Sequence, residues 1–213
     1  MSGAALDALV AALAEPEAPT SVHAPARVRE VHLADSLAGL DFVGPAGSLA
    51  DLGSGAGLPG LVLAAALPEM QVVCVEASRR KADWIGRTAS RCGIANASAE
   101  WSRAEEWDGV VDVVVARALA ALPVLCEYAA PLLAEGGRAV FWKGEVSRAE
   151  EADGRYAASV LGLSAPEVVP VTPYPGSERR SLWVFDRVAP VGERFPRRAG
   201  IALKRPLRAV ASQ

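Results

Sequence analysis

Residues 50–60 read ADLGSGAGLPG, and two glycine patterns overlap within them. Counted from Gly55, the stretch is Gly55-x-Gly57-x-x-Gly60, the spacing of a dinucleotide-binding turn, and an acid, Glu76, follows about 20 residues on as that turn requires. Counted from Asp51, it is Asp51-x-Gly53-x-Gly55-x-Gly57, a spacing more typical of methyltransferases that bind S-adenosylmethionine. SLADL (48–52) reads as a strand, and PGLVLAAAL (59–67) as a helix opened by Pro59.

Outward from this turn, apolar runs and helical patterns alternate. QVVCVE (71–76) is a second, β-branched strand, RRKADWIGRTASRCG (79–93) a helix stopped at Gly93, and ASAEW (97–101) a weaker third strand. GVVDVVVAR (109–117) is apolar nearly throughout, as a strand covered on both faces should be. LPVLCEYAAPLLAEGG (122–137) reads as a helix ending at a Gly pair, followed by a fifth strand, RAVFWKG (138–144). A polar helix (145–162) then leads to EVVPV (167–171) and RSLWVFD (180–186), close enough to pair as a hairpin. The expected fold is α/β: a Rossmann-like, doubly wound sheet, mostly parallel with a final antiparallel strand. In such sheets ligands lie beyond the carboxyl ends of the strands, near the switch in strand order, which selects 51–60, 76–81, 101–105, 116–119 and 142–145 for inspection.

Composition narrows the class. The 213 residues are 51% hydrophobic and 22% charged, a globular profile with room for one domain and a sizeable core. The longest apolar run, VVDVVVARALAALPVL (110–125), is broken by Asp112 and Arg117, so a membrane span is not expected; nor is a secretory signal, since no basic segment precedes the apolar patch near the start. Cys74, Cys92 and Cys126 lack pair or metal-ligand spacing, which suits reduced thiols in a cytoplasm, and no metal is expected. The net charge of −3 is unevenly spread: Arg194, Arg197, Arg198, Lys204, Arg205 and Arg208 lie in the last 20 residues with no acid among them, leaving a net −9 on the rest. Such a tail suits nucleic-acid contact or simple solubilisation. The expected organisation is a helical extension (1–43), a catalytic domain (44–190) and a basic tail (191–213).

Electrostatics separates the two cofactors. A carboxylate at Asp51 would stand against a diphosphate, whereas S-adenosylmethionine presents a positive ammonium and sulfonium there. Glu76 ends the second strand, where either cofactor offers ribose hydroxyls, and does not discriminate. After the third strand, Glu105 could accept from an adenine amino group, with the backbone of Ala104 beside it. Asp51, Gly53, Gly55, Gly57, Glu76 and Glu105, on three successive strand ends, favour the methyl donor. His23 and His32 are the only histidines, both outside the expected sheet, and no hydrolytic triad or metal cluster is visible.

HLADSL (32–37), LADLGSGAGLPGLVLA (49–64), EASRRKADWI (76–85), ARALAAL (116–122), FWKG (141–144) and FPRRAGIALKRPL (195–207) together resemble the bacterial ribosomal RNA small-subunit methyltransferase G family, also called glucose-inhibited division protein B. The resemblance runs in order over about residues 20–208. It departs at the entry segment, where the family's Asn-Leu-Thr-Ala is here APTSV (18–22). It implies a cytoplasmic enzyme that methylates N7 of a guanine in 16S ribosomal RNA, free or in the small subunit, and acts as a monomer. By position it places cofactor contacts at Gly53, Leu58, Ala104, Glu105 and Arg117.

Guanine N7 has a lone pair and no proton, so positioning would suffice for its methylation. Arg117 could touch cofactor or nucleotide, or merely cap the sheet in an ion pair. Lys143 could neutralise a phosphate near the base or be an ordinary strand-end lysine. Arg179, Arg180, Arg197, Arg198, Lys204 and Arg205 extend the basic path, and removal of 194–213 is expected to weaken RNA binding and flatten its salt dependence. A methyltransferase for a protein or small molecule, a non-catalytic RNA-binding protein and a Rossmann oxidoreductase are the alternatives.

Overall fold

The computed structural model describes residues 3–44 and 47–209. Strands β1 (Ser48–Leu52), β2 (Gln71–Glu76), β3 (Ala97–Trp101), β4 (Val111–Arg117), β5 (Leu133–Lys143), β6 (Glu167–Val171) and β7 (Arg180–Asp186) form one sheet in the order β3-β2-β1-β4-β5-β7-β6. Strands β1 to β5 are parallel, and β7 runs antiparallel to both β5 and β6. The order reverses between β1 and β4, so their carboxyl ends flank the crevice where such a sheet binds its ligand.

Helices cover both faces. On one, α1 (Gly3–Ala14), α5 (Gly60–Ala66) and α6 (Arg79–Arg91) bury Leu9, Leu13, Leu61, Leu63 and Ile85 against Leu49, Val72 and Val113. On the other, α7 (Leu122–Ala129) and α8 (Arg148–Val160) bury Leu122, Leu125 and Ala157 against Leu52, Val114 and Phe141. The segment between α1 and β1 is helical: α2 (Pro25–Arg27), a π-helical turn (Val28–Ala34), α3 (Asp35–Leu37) and α4 (Leu40–Val43). Val28, Leu33 and Val43 belong to the same core as the sheet, so this extension is packed into the domain. The basic segment is likewise folded onto the second face, burying Phe195 and Ala202, the latter in α9 (Ile201–Lys204).

One expected element is corrected. The helix read over 122–137 ends at Ala129 and closes in a 3₁₀ turn, Ala130–Leu132, after which β5 has already begun. Pro131 lacks the N–H that a continuing helix needs. The Gly pair forms an irregularity inside the strand instead: Val111 pairs with Leu133 but Val113 with Arg138. Gly136 takes φ 73°, and a β-carbon on Gly137 would lie 2.8 Å from the carbonyl oxygens of Ala134 and Asp112. Helix-like composition at 132–135 hides this bulge.

Candidate active site

A cavity of about 480 Å³ opens at the carboxyl ends of β1, β2, β3 and β4. Its floor is the glycine turn, contributing Gly53, Ser54, Gly55, Ala56 and Leu58. Gly53, Gly55 and Gly57 all have positive φ, which lets the chain double back within a few residues. Gly60 serves a different end. A β-carbon there would lie 2.7 Å from Cys74 Sγ and 2.8 Å from Asp51 Oδ2, so only glycine allows α5 to start this close to β1 and β2.

Asp51 lies deeper than its place in the glycine pattern suggests. It is fully buried beneath the turn and does not line the cavity. Its Oδ2 accepts the Gly60 N–H at 2.9 Å, its Oδ1 has no partner, and burial pushes the carboxyl up to about 7, against the opposing pull of the Gly60 N–H and Arg117. Asp51 holds the start of α5, and in this geometry it is not a surface anion awaiting a ligand. Gly57 is also outside the wall: it shapes the turn over Leu61.

Glu76 and Glu105 are where the cavity needs acceptors. Glu76 Oε2 takes the Gly55 N–H at 2.9 Å and Oε1 the Ser78 N–H at 2.8 Å, so the carboxylate braces the glycine turn and presents its edge to the cavity. Glu105 lies beside Ala104 in the wall, its side chain 5% exposed. Burial would raise its pKa, but hydrogen bonds from Arg103 (2.8 Å) and the Gly200 N–H (3.1 Å) outweigh that and hold the carboxyl below its ordinary value.

The remaining wall comes from residues that local sequence does not signal. Tyr128, on α7, is buried beside Glu105 with no hydrogen-bond partner for its hydroxyl among the described residues, and burial, then the Glu105 charge, push it up to about 12. Thr20 and His32 come from the helical extension, and Leu203 from α9. His32 Nε2 lies 2.7 Å from Thr20 Oγ1, and burial, with Arg117 adding to it, lowers the imidazole to about 4. Thr20 and His32 precede the sheet, Tyr128 lies mid-chain and Leu203 follows the last strand, so no single local motif brings the four together.

Arg117 lines the cavity at the end of β4 and also pairs with buried Asp35 at 2.8 Å, so both sequence readings apply to it. Asp35 lies 3.2 Å from Arg180 as well. Lys143 is outside the wall; it pairs with Glu150 at 2.7 Å and donates to the Ala120 carbonyl at 3.0 Å. Arg179 pairs with Glu145 on the surface. Arg197 has a protein partner: its guanidinium grips buried Glu127 on α7, with Nε at 2.7 Å from Oε1, and leaving that carboxylate alone in the core would be costly. Arg198, Lys204 and Arg205 are exposed. Removal of 194–213 would therefore also strip Phe195, Arg197 and Leu203; residues 210–213 lie outside the described part. All three cysteines are buried, and no metal-binding group occurs among the described residues.

A glycine turn at the switch point, a carboxylate ending β2, another in the turn after β3 and a cavity that admits a nucleoside define an S-adenosylmethionine-dependent methyltransferase with a Rossmann-like sheet. The two carboxylates and the Tyr128 hydroxyl, which has no hydrogen-bond partner among the described residues, all line this cavity. Residues 6–174 match the family described as rRNA small subunit methyltransferase G, and the chain belongs to that family. It is 41% identical over 188 residues to ribosomal RNA small subunit methyltransferase G of Rubrobacter xylanophilus, covering 83% of this chain and 72% of that one. The namesake from Pelotomaculum thermopropionicum is 36% identical, covering 88% and 82%.

Among solved structures, a geranyl diphosphate methyltransferase in complex with S-adenosylmethionine superposes with a TM-score of 0.62 over 84% of this chain and 94% of that one, at 20% identity. The ribosomal protein L11 methylase from Lactobacillus delbrueckii subsp. bulgaricus gives 0.57 over 73% and 78%, at 19%. At these identities both attest the fold alone.

Proposed function

We propose that this enzyme transfers the methyl group of S-adenosylmethionine to N7 of a guanine in 16S ribosomal RNA, acting as a cytoplasmic monomer on free RNA or the small subunit. The observation that carries the reading is the condition of the side chains beside the switch point. The imidazole there, His32, is held neutral at pH 7 and engaged by Thr20, while Arg117 is engaged by Asp35. Glu76 ends β2 and Glu105 lies in the turn after β3, each braced by backbone N–H groups. That inventory suits a nucleophile that needs no base.

Guanine N7 is such a nucleophile. Its lone pair forms the new N–C bond as the C–S bond breaks, and the electron pair goes to sulfur. The products are a cationic 7-methylguanine and neutral S-adenosylhomocysteine, with no proton to remove. The bound cofactor supplies the electrophilic methyl; the chain supplies alignment and a site that excludes water. Glu76 and Glu105 would fix the adenosyl end, the glycine turn and Leu58 the methionine end, and Arg117 the face toward the nucleotide. Exposed Arg198, Lys204 and Arg205 would meet phosphates.

The test is transfer of labelled methyl to 16S RNA, and to small subunits, from cells lacking the activity, mapped by chain cleavage at 7-methylguanine. Label at one guanine is expected. Label in a ribosomal protein, or in RNA at a position resistant to that cleavage, refutes the reading.

A further inference from the structure

The turn from β4 to α7, residues 118–121, forms the cavity's side next to the switch point. Ala118 is the one non-glycine residue with positive φ, 55°, among the described residues. A β-carbon in that region costs about 1–2 kcal/mol, so surrounding contacts must hold the turn in place. They come from three other elements. Asp35 anchors Arg117 at the start of the turn, at 2.8 Å. Lys143, ending β5, donates to the Ala120 carbonyl at 3.0 Å. Glu150, in the first turn of α8, accepts the Leu122 N–H at 3.0 Å, capping α7, and pairs with Lys143 at 2.7 Å through the same oxygen. Lys143 and Glu150 are only 15% and 22% exposed, and each touches the turn or the residue that ends it.

We infer that Lys143 and Glu150 are positioning residues: they clamp the strained turn 118–121 against the cavity where the methyl acceptor must lie, and Lys143 does not bind an RNA phosphate. The catalytic consequence rests on the proposed RNA methylation; the clamp rests on geometry.

Lys143→Met removes the donor while keeping the stem, and Glu150→Ala removes the acceptor. Both are expected to melt cooperatively and to bind S-adenosylmethionine as the parent does. Hydrogen exchange at the amides of 119–122 should quicken about tenfold or more without RNA. The kcat for transfer to 16S RNA should fall about 10- to 100-fold, with the KM for RNA and the salt slope of RNA binding unchanged. Lys143→Arg, which keeps a charged donor, should restore most of the turnover and keeps the question open to test if Lys143→Met does not fold. A phosphate contact would instead make the slope shallower by about 0.7–0.9 for Lys143→Met and leave Glu150→Ala fully active. That pattern, or unchanged exchange in both variants, overturns the inference. A parent enzyme that leaves 16S RNA unmethylated refutes the substrate reading alone, because exchange still decides the clamp.

Discussion

Asp51→Asn should make the protein more stable as pH rises. Asp51 is fully buried and its carboxyl is pushed from an ordinary 3.8 up to about 7. Between those values the unfolded chain gives up the proton and the folded chain keeps it, so stability is complete below pH 4 and lost as pH climbs through 7. At about 1.4 kcal/mol per pH unit of separation, the cost is about 4 kcal/mol at pH 8 and under about 2 kcal/mol at pH 5. Asparagine has no charge to desolvate, and its amide oxygen can still accept the Gly60 N–H. Its amide N–H₂ lacks an acceptor, a penalty that does not vary with pH. The advantage of the variant should therefore grow by about 2–3 kcal/mol from pH 5 to pH 8. His32, lowered to about 4, contributes in the opposite sense: its stability is present above 6.5 and lost as pH falls through 4. That contribution is common to both proteins and cancels in the comparison. Urea unfolding at four pH values without cofactor measures the difference, and parallel profiles would contradict a protonated, buried Asp51.

Gly60→Ala forces a β-carbon against Cys74 and Asp51; overpacking of about 1–3 kcal/mol should lower Tm by about 2–12 °C and weaken cofactor binding. An unchanged Tm would mean that α5 can back away freely. Arg197→Ala strands buried Glu127 and should cost about 3–5 kcal/mol in chemical unfolding. Exposed Arg198→Ala should stay within about 0.5 kcal/mol, and equal losses would contradict the assignment of Arg197 to the core. Tyr128→Phe removes a hydroxyl with no protein partner, so stability should hold while cofactor affinity drops about five- to tenfold, the worth of one hydrogen bond of about 1 kcal/mol. Equal affinities would show that the hydroxyl does not touch the cofactor. Charge reversal at Lys204 and Arg205 should reduce the salt slope of RNA binding by about 0.7–0.9 for each phosphate that is no longer neutralised. A slope that does not move removes α9 from the RNA path.

What can be read from sequence follows the range of the interaction. The apolar runs of β1, β2 and β4 and the turn signals around them are local, and the sheet follows from their alternation. Glu76 and Glu105 are legible because strand ends are legible. At Asp51, Lys143 and Arg197 the charge is visible in sequence but its surroundings and protein partner are not. Arg197 finds Glu127 70 residues away, and the Asp51 carboxyl is decided by how deeply β1 is covered. Tyr128 carries no motif, and Leu203, although within FPRRAGIALKRPL, gives no sign of facing the cavity; both reach it only because α7 and α9 pack where they do. The bulge at 134–137 is hidden because Leu132, Leu133, Ala134 and Glu135 are good helix formers that tertiary pairing overrides.

A cavity walled by Thr20 and His32 on one side and Leu203 on the other closes a loop of nearly the whole chain. Bringing such distant positions together carries a large entropy of closure, repaid only after the sheet exists to hold them. A ligand bound in this cavity would therefore tie both segments to the sheet and stabilise the folded chain by mass action.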